Sequence, residues 1–499
     1  MIKDNYLFES GSALGLVDSL KRVGKHTFIY GLGSVIGNVI SFFLVPVYTR
    51  FLTTADYGVL SSMTALDACL TIIIALGLHG AAFRFYFEEN NLNKKELLGS
   101  IWLFQMLVAL VISLVLYLFS GKLALIIFRE PQMSSYIKLV VVRVFLSIGS
   151  LLPLVLLRAK EKSLHYTIFI LLTALAGVCF NVYFVVFLKK GALGSLQAGV
   201  ITAGIIFIPY LWIMAKEIAV SLNKSIIIRS LAFGLPLVPH LLANWALNLS
   251  DRILLQRLSS EQELGLYALG CNLTLVLSLI VISINNAWSP FYYSIAQKQN
   301  GPAVISKLIS YYLLFLVFAV TGISIFAKEI VVVMSAPNYI LAYTVIPPLA
   351  LSYLFMGAYF MSVNGIFLKN QTKFLPFLTS SAAAANIVLN LLWIPRFGMI
   401  GAAWATVIAF ALLFGGTYFI SNRLFAVEYE RARIAKIMLS ALLVYLLARM
   451  VRQDSIIYSA CLKLPVLFSY VIILYLLRFF TQEEINELKA LTRKFRIIK

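Results

Sequence analysis

Along the 499 residues, long apolar runs alternate with short polar stretches, and the runs recur at bilayer-spanning length. About 20 apolar residues suffice for one helical crossing of a hydrocarbon core. Charge-free runs at 27–49, 98–121, 163–188, 191–215, 230–250, 264–297, 308–327, 330–368, 374–395 and 397–422 therefore each predict a span. Four more carry one or two charges: about 57–83 with Asp67, 139–157 with Arg143, 434–450 with Lys436 and Arg449 near its ends, and 456–477 with Lys463. The fold expected is all-α and polytopic, with about fourteen transmembrane helices, since a helix satisfies its own backbone polar groups in lipid.

The pattern also repeats. Gly31-Leu32 recurs as Gly234-Leu235, and Leu52-Thr53-Thr54 with Gly58 recurs as Leu258-Ser259-Ser260 with Gly265. Phe85-Tyr86 recurs as Phe291-Tyr292, and Asn181 followed by Gly191 and Gly194 recurs as Asn390 followed by Gly398 and Gly401. The offsets all fall between 203 and 209 residues. Two parallel six-helix lobes follow, 27–215 (helices 1–6) and 230–421 (helices 7–12), because an even number of spans returns each copy to the same side. Two extra helices at 434–477 lie outside the repeat, between flanking segments at 1–26 and 478–499. Parallel halves related by an axis along the membrane normal enclose a substrate site between them and alternate its access.

Composition agrees: 61% of residues are hydrophobic and 12% charged, against about 45–50% and 25% in soluble domains. A net charge of +20 would suit a nucleic-acid partner, but its distribution argues against one. With the N-terminus inside, the cytoplasmic segments hold 27 Lys and Arg and the opposite side 13, so the positive-inside rule places both termini in the cytoplasm. Residues 1–26 have no uninterrupted apolar core before Lys21, Arg22 and Lys25, so no cleaved signal peptide is expected. Cys69, Cys179, Cys271 and Cys461 sit singly, indicating neither disulfides nor a metal site, and read as small buried apolar residues. No cofactor is expected. At the C-terminus Thr481-Gln-Glu-Glu484 fits a capping box, and Ile485, Leu488 and Leu491 follow at helical spacing before Arg493, Lys494 and Arg496. This predicts an amphipathic helix on anionic cytoplasmic lipid.

The stretch from Gly31 and Asn38 through Pro46, Arg50 and Asp56 to Gly58, and the stretch Ala287-Trp288-Ser289-Pro290-Phe291-Tyr292, resemble bacterial polysaccharide and O-antigen flippases of the Wzx type. These belong to the multidrug/oligosaccharidyl-lipid/polysaccharide (MOP) exporter superfamily. The resemblance covers roughly 25–450 and implies two six-helix lobes, often with two extra helices. It further implies that an undecaprenyl-pyrophosphate-linked sugar unit is flipped from the cytoplasmic to the periplasmic leaflet of the inner membrane. Such a step serves cell-surface polysaccharide or lipopolysaccharide assembly, alongside membrane lipids and other assembly proteins.

A charge inside a span costs at least a few kcal/mol near the bilayer centre, so each marks a candidate site. Arg143 could bind pyrophosphate or pair with Asp67, the only acid deep in a predicted span. Arg50, Arg84, Arg158 and Arg252 sit at span ends, where they either snorkel to headgroups or face the cavity as bidentate anion binders. His240, Asn244, Asn248 and Asp251-Arg252 draw a polar stripe on helix seven that either lines a wet cavity or bonds neighbouring helices. Asn386 and Asn390 suggest a similar stripe on helix eleven. Asp67 and Asp251 are the candidates for ion coupling. Pro236 and Pro239, and the pair Pro347-Pro348, would break helices seven and ten, as hinges or static kinks. Gly33 and Gly37 read as a helix-packing face, and the six tryptophans as interfacial anchors or sugar platforms.

Two rivals remain. A small-molecule exporter of the same superfamily would be expected to place more carboxylates in its spans when its cargo is cationic. A membrane glycosyltransferase or polymerase would need paired carboxylates or a catalytic loop, and no DxD, HExxH, Walker or GxSxG pattern occurs. The chemistry expected is transport.

Overall fold

A computed structural model describes residues 44–88, 93–451 and 455–482, together with 484 and 486. The first predicted span up to residue 43, the Gly33/Gly37 pair and most of the amphipathic tail lie outside the described residues. All regular structure among the described residues is helical.

The first half contains α1 (Val45–Phe51), α2 (Thr54–Ala75), α3 (Leu78–Tyr86), α4 (Lys94–Leu118), α5 (Ser120–Phe128), α6 (Ser134–Ala159), α7 (Ser163–Asn181) and α8 (Gly191–Glu217). A π-helical stretch, Val182–Phe187, continues α7. The second half contains α9 (Lys224–Gly234), α10 (Val238–Leu258), α11 (Glu261–Ala296), α12 (Gly301–Ile325), α13 (Ala327–Met334), α14 (Ile346–Ser362), α15 (Asn364–Leu368) and α16 (Phe374–Leu424). Outside the repeat stand α17 (Arg431–Met450) and α18 (Ile456–Leu476). Eleven helical stretches among the described residues are long and apolar enough to cross a membrane, and the molecule is a multi-pass membrane protein.

The repeat landmarks have local physical causes. Thr53 and Asp56 cap α2 reciprocally, Asp56 N–H donating to Thr53 Oγ1 at 3.1 Å and Thr53 N–H to Asp56 Oδ2 at 3.2 Å. At the matching place Ser260 Oγ accepts from Glu263 N–H at 3.2 Å to start α11. Gly191 and Gly398 both hold left-handed φ, 58° and 54°, a conformation a side chain resists. Gly398 divides the 51-residue α16, so the spans predicted at 374–395 and 397–422 meet at this residue. The Glu263 carboxylate occupies the space beside Gly398 and accepts from Met399 N–H at 3.0 Å.

Two expectations need correction. The run 330–368 holds the one expected spanning helix, α14 continued by α15, but that helix begins only at Ile346, because Pro337 opens a 3-10 stretch over Pro337–Thr344 after the short α13. Pro347 and Pro348 then occupy the first turn of α14, where a missing N–H costs nothing. A short helix, α5, and a 3-10 turn at Pro131–Met133 interrupt the first half at the matching place. The cysteines are not uniformly buried either: Cys179 and Cys461 are exposed on the bundle surface, which lipid covers at no cost to a thiol. Pro236 does break helix seven, in a 3-10 turn between α9 and α10.

The described chain packs as two compact units, and these cut across the repeat. One holds residues 66–238; the other holds 48–65 together with the chain from Pro239 onward. The first unit is centred on Leu78, Ala82, Leu97, Ile101, Leu152 and Met214. Its α9 packs on α3 and α4, and the loop before α9 is tied down where Asn223 N–H donates to Ser100 Oγ at 3.0 Å. In the second unit α2 and α11 cross at paired glycines. A Cβ on Gly58 would stand 2.1 Å from the Glu261 carbonyl oxygen, and one on Gly265 would stand 1.8 Å from that of Thr54.

The capping box at the C-terminus is present: Thr481 N–H donates to Glu484 Oε2 at 2.9 Å and Glu484 N–H to Thr481 Oγ1 at 3.4 Å. Glu484 also meets Arg433 at 3.2 Å and Lys307 at 2.9 Å. Burial pushes its carboxyl up, but the bond from Lys307 and those around it win and hold it down at about 2.

Candidate functional site

The first unit carries a mostly apolar pocket of about 480 Å³ between α6, α7 and α8, with Ser147, Ser150, Thr173, Thr202 and Tyr210 as polar points in its lining. Arg143 sits at this pocket, and its Nε donates to Asp67 Oδ2 at 2.9 Å. Asn181, the repeat landmark, also lines it, its Oδ1 accepting from Ser195 Oγ at 2.6 Å. The pairing follows from the cost of isolated charge in lipid, since each partner compensates the other.

At the ends of α3 and α6 the arginines lie on aromatic rings. The Arg84 guanidinium is 4.9 Å from the Phe233 ring centre, and Arg158 is 6.0 Å from Phe83 and 5.8 Å from Tyr166. Arg229, on α9, lies 4.5 Å from the Phe85 ring and pairs with Glu88. Phe83 and Phe85 flank Arg84 in sequence, so α3 gathers three guanidinium groups at one end of the unit. Arg84 keeps 58% of its side chain exposed and meets Glu88 only at 3.7 Å, leaving donors for a ligand. Cation–π contact holds a guanidinium plane without consuming its edge N–H groups. Sequence reading named Arg84 and Arg158 but missed Arg229 and the rings, although Phe83-Arg84-Phe85 was a visible signal. Arg50, in the second unit, is exposed in the last turn of α1.

The stripe on α10 changes character along its length. Asn244 and Asn248 are exposed on their unit and bonded to each other at 2.9 Å, while Asp251 is only 4% exposed. Its carboxylate accepts from Tyr267 Oη and from Arg252 N–H, the latter at 2.8 Å. Arg252 is half-buried beside it, with its Nε enclosed and without a hydrogen-bond partner among the described residues. Tyr57 stands nearby, its Oη accepting from Asn272 Nδ2 at 2.6 Å. His240 is half-buried near the start of α10. Asn386 and Asn390 are fully enclosed and bonded to each other at 2.9 Å, so within their unit they line no opening.

Another buried acid escaped sequence reading, because Glu329 sits one residue before the predicted 330–368 span. Its Oε1 accepts from Lys463 Nζ at 2.6 Å and from Ser459 Oγ at 2.5 Å, joining α18 to α13. Asp67, Asp251 and Glu329 thus each lie beside a cation, Asp67 by Arg143, Asp251 by Arg252, and Glu329 by Lys463. Among the tryptophans, Trp102 donates to the Gly149 carbonyl at 3.2 Å and Trp245 to that of Ala65 at 2.9 Å. These two bond the structure internally, whereas Trp212 and Trp404 remain exposed. Among the described residues no group of acid, histidine and cysteine side chains could hold a metal ion.

The family described as "Polysaccharide biosynthesis protein" matches residues 23–296, more than half of the chain. Two proteins of Haemophilus influenzae are similar. One, "Lsg locus putative protein 1", is 22% identical over 285 residues, covering 56% of this chain and 68% of its own. The other, an uncharacterized membrane protein, is 22% identical over 405 residues, covering 76% and 94%. In fold, the chain is similar to lipid II flippase MurJ in an inward closed conformation, with a TM-score of 0.74 and 13% identity over 90% of this chain and 99% of that one. It is also similar to an inward-facing MATE multidrug transporter of the MOP superfamily, with a TM-score of 0.59 and 13% identity over 82% and 95%.

Proposed function

Because this chain belongs to the polysaccharide biosynthesis protein family, we propose that it is a flippase for an oligosaccharide linked to undecaprenyl pyrophosphate. It carries that unit by alternating access from the cytoplasmic to the periplasmic leaflet of the inner membrane, for cell-surface polysaccharide such as O-antigen. The observation that carries this reading is the charge pattern. Asp67, Asp251 and Glu329 lie beside cations, whereas Arg84 and Arg158 present guanidinium groups held on rings and open to a ligand. An arginine fork binds a diphosphate through paired N–H donors and keeps its charge at any cellular pH. Basic-residue counting assigns this end of the first unit to the cytoplasm, the side on which a lipid-linked sugar would be loaded. A cationic-drug exporter would need the reverse, a carboxylate free of its cation. Asp67 and Asp251 remain the residues through which an ion gradient would act, by protonation that releases Arg143 or Arg252.

Deleting the gene should trap lipid-linked sugar on the cytoplasmic leaflet and strip the cell of the corresponding surface polysaccharide. Restoring the gene with Arg84→Gln and Arg158→Gln together should leave protein abundance near normal and lower surface polysaccharide at least about tenfold, the loss of two charge-assisted contacts. Unchanged surface polysaccharide in the deletion strain, with altered drug sensitivity, would overturn the reading in favour of the exporter.

A further inference from the structure

The two helices outside the repeat build a site of their own. A groove of about 730 Å³ opens between α12, α13, α14, α17 and α18 in the second unit. One stretch of it is apolar, with Val317, Leu351, Leu354 and Leu442. The other stretch gathers Lys328, Tyr343, Trp404, Tyr445 and Arg449. Lys328 and Arg449 are exposed there, and among the described residues no acid is paired with either. Lys463 also reaches the groove, but its charge is already met by Glu329.

The polar stretch lies toward the ends of α12 and α17 remote from Gly301 and Arg431, which basic-residue counting assigns to the non-cytoplasmic side. Tyr and Trp at this level belong to the headgroup boundary. Two unpaired cations at the mouth of an apolar groove, framed by such rings, match one kind of molecule: a phosphate headgroup with hydrocarbon attached. We propose that this groove binds a phosphate-bearing lipid of the outer leaflet, with Lys328 and Arg449 on the phosphate and the chain along the α12–α14–α17 wall. The buried Glu329–Lys463–Ser459 link fixes α18 against α13, the helix that carries Lys328. The proposal stands whatever molecule the protein transports, because no residue of the arginine and aromatic cluster on α3 takes part.

The test uses full-length protein purified into nanodiscs of zwitterionic lipid. Phosphatidylglycerol or undecaprenyl phosphate is added as the probe, and bound lipid is counted by native mass spectrometry. Lys328→Gln with Arg449→Gln should weaken retention about fivefold per cation, roughly 25-fold together, as two lost cation–phosphate attractions imply. Lys298→Gln with Lys369→Gln, which removes two exposed cations elsewhere, should leave retention unchanged and so controls for net charge. Lys328→Arg with Arg449→Lys should retain lipid and shows that the fold survives exchange at these sites. Stronger binding of phosphatidylglycerol assigns the groove to a bulk anionic lipid, and stronger binding of undecaprenyl phosphate to the carrier lipid. Equal retention of both probes by the double glutamine variant and the unaltered protein overturns the proposal.

Discussion

Arg143 and Asp67 show what a single residue can and cannot reveal. Two isolated charges in neighbouring spans had to find each other or a ligand, and at 2.9 Å they have found each other. Replacing Arg143 alone by leucine strands a largely buried carboxylate, at a cost of about 3 kcal/mol. The thermal midpoint of the detergent-purified protein should fall accordingly, and replacing Asp67 by leucine as well should bring it back. A double variant as unstable as the single one would mean that the pair does not hold the helices. The Glu329–Lys463 pair obeys the same electrostatics yet was not legible. Nothing in the periodicity of the chain says that α13 and α18, 134 residues apart at the bonded pair, will be neighbours. The same limit applies to Phe233 under Arg84: Phe83 and Phe85 stand next to the cation in sequence, whereas Phe233 reaches it only by folding.

At the scale of elements, hydropathy located nearly every helix because lipid imposes length and apolarity on anything that crosses it. It found the one span within 330–368 but set its start too early, because the apolar run also covers a short helix and a turn, and apolarity reports burial and not direction. Pro337 marked the turn, and the matching Pro131–Met133 turn would have confirmed it had the repeat been read through that stretch. The repeat matched Gly58 with Gly265 but did not foretell that they meet at the α2–α11 crossing, where their function is close approach of backbones. Gly58→Ala and Gly265→Ala should each destabilise by about 1–3 kcal/mol, because each new methyl meets a carbonyl oxygen that cannot yield without moving its helix. Gly415→Ala, with open space around it, should be neutral or slightly stabilising. Equal melting temperatures for all three variants would remove the crossing from the list of structural constraints.

For the whole molecule, the excess of basic residues on one side predicts that both termini face the cytoplasm. An alkaline phosphatase fused after Lys499 should be inactive and one inserted near Asn338 active; activity at the C-terminus would invert the topology. The division into packed units leads further. Residues 48–65 belong with the chain beyond Pro239, so Gly58 leaves the ribosome 207 residues before its partner Gly265. At about 5–20 residues per second that is an interval of roughly 10–40 s. During this time α2 is held at one end by its own unit and is bare at the other. The first half of the chain therefore cannot finish folding on its own schedule: its second helix waits in the membrane, with an unmatched glycine face, for a segment that has not yet been made.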